Sequence, residues 1–224
     1  MKPLDRILLL TTALLASYQV VQGIDGLNRM AIACYTIAFG VIVIASLLMI
    51  IIGLEVLDSP VVIIASTLIP LSLALGLAAQ FLHNVLVPYG IFIVIGFIAI
   101  VITRYIGPKK LAVMVLAIVH GVAGMTIFFL PIILVLQDQL PPGFAFVGFG
   151  GMLIGLAGLL LSFLKAGKPL LSRQKILSIF PSLLLLSNMC ILLESLVMVV
   201  AEMVAEAPEA EAEAVFTPRA MASA

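Results

Sequence analysis

Long apolar runs alternate with short polar gaps along nearly the whole chain. A helix needs roughly 20 predominantly apolar residues to cross a hydrocarbon core about 30 Å thick, at about 1.5 Å per residue. Seven runs meet that requirement: approximately Ile7–Ile24, Leu27–Leu57, Pro60–Leu82, Val85–Tyr105, Leu111–Leu136, Phe144–Leu164 and Ile176–Val204. The gaps carry helix-boundary chemistry. Asp58-Ser59-Pro60 supplies a capping side chain and a proline at the first helical position of the third run. Gly107-Pro108 separates the fourth run from the fifth, and Pro141-Pro142-Gly143 opens the sixth. All the gaps are short, so neighbouring helices are predicted to pack antiparallel. The pattern predicts an all-α fold, a polytopic transmembrane bundle over residues 1–204.

Three stretches depart from the simple pattern. The first run holds Thr11, Thr12, Ser17, Tyr18 and Gln19 and follows Lys2 and Arg6, the layout of a secretory signal as well as of a span. Ala16-Ser17-Tyr18 is a poor small-x-small cleavage site, so a retained helix is expected. The second run is longer than a bilayer requires and is expected to tilt or project. Residues 205–224, with Glu206, Glu209, Glu211 and Glu213 among alanines, have no apolar period and are expected to form a disordered acidic tail.

Composition agrees with lipid as the solvent. Of the residues, 64% are hydrophobic and 10% charged, against about 25% charged in an ordinary soluble domain. The formal net charge is zero, so no overall field favours nucleic acid. The expected partners are the lipid bilayer and other membrane subunits. Cys34 and Cys190 both fall in apolar runs and are expected to be core residues rather than a disulfide or a metal site.

The basic residues orient the bundle. With alternating spans, one side holds nine of them: Lys2, Arg6, Arg104, Lys109, Lys110, Lys165, Lys168, Arg173 and Lys175. The other holds only Arg29 and Arg219. Short loops rich in Lys and Arg stay in the cytoplasm, which predicts a cytoplasmic N-terminus and an outside C-terminus in the cell membrane.

Polar groups within the runs are the only candidates for chemistry. His120 falls near mid-depth of the fifth run. It shares a face with Ala117, Gly121 and Gly124, and the sixth run carries Gly148, Gly151, Gly155 and Gly158, including a GxxxG pair at Gly151 and Gly155. A tight contact between these two helices is expected, with Gly155 near the depth of His120. The favoured role for His120 is a hydrogen bond across that contact. A proton relay, a substrate contact and a haem or chlorophyll ligand are the functional alternatives. Glu194 is the one acid well inside an apolar run, near the outer interface. It shares a face with Ser187 and Cys190, and Asn188 and Ser195 lie beside it, the most polar stripe in the bundle. Gln80, His83 and Asn84 cluster at the turn after the third run and are expected to cap helix ends. Glu55 is expected at a helix boundary, within reach of Lys109, Lys110 or Lys165.

Several chemistries are excluded. No lysine lies within a span to anchor a Schiff base, and there is no HExxH, no GxGD and no phosphate loop ending in GK[ST]. No Pro-Gln dipeptide points to the PQ-loop sugar carriers, and no Asn-Pro-x-x-Tyr to receptors. No cofactor is assigned. A non-enzymatic accessory or scaffold subunit of a membrane complex is expected. The alternative is a small transporter or channel using His120 and Glu194, with Pro70, Pro131 and Pro181 available to break helices.

Overall fold

The structure is a computed structural model that describes residues 1–22, 28–165 and 171–216; side chains are described except at residues 22, 109, 165, 198, 199 and 201–216. The described residues form seven α-helices and no strand: α1 (Pro3–Gln22), α2 (Arg29–Ile52), α3 (Pro60–Phe81), α4 (Leu86–Tyr105), α5 (Lys109–Leu136), α6 (Ala145–Lys165) and α7 (Arg173–Phe216). All seven are long and apolar enough to cross a membrane, so the chain is a multi-pass membrane protein. The junction between the first two runs, at residues 23–27, lies outside the described residues.

The second run differs from its expected form. α2 stops at Ile52 because Gly53 adopts φ 101°, a left-handed conformation that glycine tolerates at little steric cost. Its N–H donates to the Met49 carbonyl at 3.0 Å. The remainder of the run, together with Asp58, winds into a 3-10 turn over Leu54–Asp58 that buries Leu57. The excess length is thus a folded-back turn rather than a projecting helix. Asn28 opens α2 by accepting a hydrogen bond from the Ala31 N–H at 2.8 Å.

The helices close into a ring through α1–α2, α2–α3, α3–α5, α5–α6, α6–α7 and α7–α1 contacts. α4 packs outside the ring against α3 and α5, where a Cβ on Gly96 would come within 2.8 Å of Val119. α3 is the most enclosed helix, with 61% of its best span buried, against 17% for α4 and for α5. α3 accordingly presents small residues such as Ala74, Gly76, Ala78 and Ala79 to its neighbours, while α4 shows Val87, Ile91, Val94, Ile98 and Ile102 to the outside. With no water in the hydrocarbon core, such apolar exteriors are the stable arrangement.

Pro70, Pro131 and Pro181 are fully buried, yet α3, α5 and α7 run through them unbroken. The expected helix breaks are absent from these three helices. Each ring still removes an amide donor, which leaves the carbonyls of Ser66, Ile127 and Leu177 without their usual intrahelical partner. α7 continues beyond Val204 to Phe216. Alanine and glutamate are strong helix formers, which accounts for the continuation. The rest of the expected acidic tail, residues 217–224, lies outside the described residues.

Candidate functional site

Helix alternation gathers the starts of α1, α3, α5 and α7 at one end of the bundle, the end rich in Lys and Arg. Two cavities lie at different depths, one among α2, α3, α5, α6 and α7 and the other among α3, α4, α5 and α6. The first holds Glu194. α2 contributes Tyr35 and Phe39, α3 contributes Leu73, Leu77 and Phe81, and α7 contributes Ile191 and Glu194; Ile127, Phe144 and Val147 complete a cavity of about 80 Å³. Glu194 lies 21 residues into α7, roughly 31 Å along it. The cavity therefore belongs to the end opposite the basic one. Phe81 is the last residue of α3 and Phe144 precedes α6, and their rings meet edge to face with centroids 5.4 Å apart. Gly76 lets the Tyr35 ring lie on α3, since a Cβ there would come within 2.6 Å of it.

Glu194 accepts a hydrogen bond from the Ser195 hydroxyl at 3.3 Å. No basic group pairs with it among the described residues. The rest of its expected stripe is turned to other work. Ser187, fully buried, donates to the Gly150 carbonyl at 2.9 Å and ties α7 to α6. Asn188, also fully buried, donates to the Leu184 carbonyl at 2.8 Å, and its own carbonyl accepts from Gln19 of α1 at 3.3 Å. Its side-chain oxygen has no partner. The structure thus brings Ser187 and Asn188 to helix contacts and Glu194 to a cavity.

The second cavity, about 40 Å³, holds His120 with Ile63, Ser66, Thr67, Arg104, Val113, Leu116, Gly158, Leu161 and Ser162. The hydroxyls of Ser66, Thr67 and Ser162 donate to carbonyls of their own helices, at 2.9, 2.7 and 2.8 Å, and so present lone pairs to the space. His120 lies 11 residues into α5, about 16 Å from its start. Its imidazole rests on Gly158 of α6, where a Cβ would overlap the ring. The Nε2 atom is buried and makes no hydrogen bond among the described residues. The expected α5–α6 contact is present, and the expected hydrogen bond at Nε2 is not.

Of the expected glycines, Gly148, Gly151 and Gly158 of α6 make that contact, and Gly121, Gly124 and Gly155 do not. Gly151 meets Ile127 and Gly148 meets the Phe128 carbonyl so closely that neither has room for a Cβ. Gly121, Gly124 and Gly155 face open space, with nothing within 4 Å of an added Cβ. Gly158, one turn from Gly155, takes the place beside His120. Sequence spacing selects a helical face, but the rotation of two helices about their axes decides which turn of that face touches.

Near the α3–α4 turn, Gln80 accepts from the Asn28 backbone and side-chain amides at 3.2 Å each, and Asn28 donates to the Ala79 carbonyl at 2.7 Å. The polar cluster there joins α2 to α3, while His83 and Asn84 are exposed. At the basic end, Arg173 pairs with Asp58 at 2.7 Å; the side chains of Lys109 and Lys165, two of the expected partners of Glu55, lie outside the described residues. Cys34 and Cys190 are free thiols. No cluster of three or more metal-ligating side chains occurs among the described residues.

Tyr35, Phe39, Phe81 and Phe144 were not marked out by sequence pattern. Tyr35 and Phe39 stand four residues apart on α2, but Phe81 ends α3 and Phe144 lies in the turn before α6, so no local spacing connects all four. The one usable signal was Glu194 itself, an acid in an apolar run whose surroundings had to be found in three dimensions. Comparison with known protein families, curated proteins and solved structures finds no match.

Proposed function

We propose that this chain is a non-enzymatic integral membrane protein whose bundle binds a small solute and conducts it as a small transporter or channel. One observation carries the reading: Glu194, unpaired among the described residues, faces an internal cavity walled by α2, α3, α5, α6 and α7. An ionisable side chain within an apolar span is rare and ordinarily marks a ligand or ion path. The His120 cavity lies on the same α3, α5 and α6 helices, closer to the basic end. Cysteines placed at 120 and 194 in the reconstituted protein are expected to react with aqueous thiol reagents, each from its own side. If both stay unlabelled from both sides, the reading fails. A reporter fused after Ala224 should be active outside the cytoplasm, as the distribution of basic residues requires.

A second reading, an accessory subunit of a membrane complex, is favoured by a different observation. The outer face of α5 has an apolar groove of about 610 Å³ along Ala117, Gly121, Met125 and Phe129. A small residue at such a face admits close approach of another helix. Purification in mild detergent separates the two readings. Stable companions support the subunit, and recovery of the chain alone supports the solute path.

A further inference from the structure

We propose that the Glu194 cavity binds a small alkylammonium group, with Glu194 as counter-ion and Tyr35, Phe39, Phe81 and Phe144 as aromatic walls. The proposal rests on the reading of the bundle as a solute-binding protein and names the class of solute.

Charge is the first argument. Glu194 has one hydroxyl contact, at 3.3 Å, and no cation among the described residues. A carboxylate facing apolar walls with no counter-charge is disfavoured, and a cation in the cavity supplies what the described residues do not. The walls are the second. Four aromatic rings line one space, and an aromatic face attracts a cation within about 6 Å of the ring centre. The remaining lining residues, Leu73, Leu77, Ile127, Val147 and Ile191, are aliphatic and suit methyl groups. A sugar or an anion would need several directed polar groups, which this lining lacks. A bare divalent ion would need six or more oxygen ligands, and one carboxylate does not provide them.

Size is the third argument. The cavity of about 80 Å³ is about half the roughly 150 Å³ apolar cavity that accepts benzene, which sets the ligand at about three to five non-hydrogen atoms. Dimethylammonium and trimethylammonium fit that limit. The same chemistry occurs free in solution and in the choline head of a phospholipid, and Phe81 and Phe144 bring the cavity to the helix ends, where headgroups lie.

The test uses the full chain in nanodiscs of phosphatidylglycerol, a lipid without an ammonium group, titrated calorimetrically with trimethylammonium. Saturable binding at one site per chain is expected. Glu194→Gln should weaken it by about ten-fold or more, and Phe144→Leu by about three-fold. Glu55→Gln, on the exposed turn at the other end, should leave it unchanged. Neutral tert-butanol, of similar size, should not compete. Glu194→Gln is nearly isosteric, and elution as a monodisperse particle confirms that a variant is folded. No saturable binding to the parent chain, equal binding by Glu194→Gln, or equal competition by tert-butanol would each overturn the proposal. Repeating the titration in phosphatidylcholine discs distinguishes the sources. Weakened binding there means that lipid choline also enters the site, and undiminished binding means that the free amine is the ligand; both support the assignment. Thiol labelling at position 194 without ammonium binding would remove the ligand class and leave the solute-path reading standing.

Discussion

The two cavities lie on the same three helices, α3, α5 and α6, yet they are built from opposite materials. The Glu194 cavity joins aromatic and aliphatic walls to one acid, whereas the smaller His120 cavity joins hydroxyl oxygens and a guanidinium to one imidazole. Both contain a polar group whose hydrogen bonding or charge is incomplete. The difference lies in what would complete it. Around His120, Ser66, Thr67 and Ser162 stand within the same lining, so polar groups are already at hand. Around Glu194 the lining is apolar apart from Tyr35, and a ligand is the remaining source of a cation. A buried polar group is therefore informative in proportion to the poverty of its surroundings.

A glycine on α6 packs against one lining residue of each cavity, Gly151 on Ile127 and Gly158 on His120, and filling that position gives the largest expected effect. Gly151→Ala forces a methyl against Ile127, a β-branched side chain with one strongly preferred rotamer in a helix. Unfolding in detergent should show a loss of about 1–3 kcal/mol. Gly158→Ala pushes instead on the His120 ring, which has a cavity of about 40 Å³ to turn into, so its loss should be smaller. Gly155→Ala meets nothing and should be neutral or stabilising by up to about 1 kcal/mol, the helix propensity difference between the two residues. An equal loss at 151 and 155 would mean that the helices meet in another register.

The next effect separates the polar groups that hold helices from those that face cavities. Ser187→Ala removes the hydrogen bond between α7 and α6 and should cost about 0.5–1.5 kcal/mol. His120→Leu removes a buried nitrogen that has no partner, and replacing an unsatisfied group with an apolar one of similar size is close to neutral. A loss above about 2 kcal/mol on His120→Leu would show that the imidazole makes a stabilising contact.

These contrasts also mark what could be read from the chain alone. The seven spans were legible because length and apolarity are requirements of the bilayer, and Pro60 stands at the first position of α3 as expected, although the Ser59 side chain makes no capping hydrogen bond among the described residues. The end of α2 was less so: Gly53 sits in a continuous apolar run, and only its left-handed conformation stops the helix there. His120 and Glu194 were legible as polar outliers with a depth. Their surroundings were not. The partner of His120 is Gly158 rather than Gly155 because helix rotation is set by the whole ring of contacts. The walls of the Glu194 cavity come from residues separated by more than 150 positions, from Tyr35 to Glu194, and no spacing rule reaches that far.

The smallest effects concern two acids at opposite ends of the bundle, and here the sign matters more than the size. Asp58 is exposed and pairs with Arg173, so Asp58→Asn should lower stability by about 0.2–1 kcal/mol, less at high salt, as screened surface pairs do. Glu194 has no such cation among the described residues and faces apolar walls. Neutralising it removes a charge that the surroundings disfavour, so Glu194→Gln in the ligand-free protein should raise stability by about 1 kcal/mol or less, given how little a carboxylate costs near the interface. Unfolding of both variants in the same detergent, at low and high salt, measures the pair. Opposite signs are what an unpaired acid awaiting a cation requires. A loss on Glu194→Gln that shrinks with salt, matching Asp58→Asn, would mean that Glu194 already has its counter-charge, and the cavity would then be ordinary packing between helices.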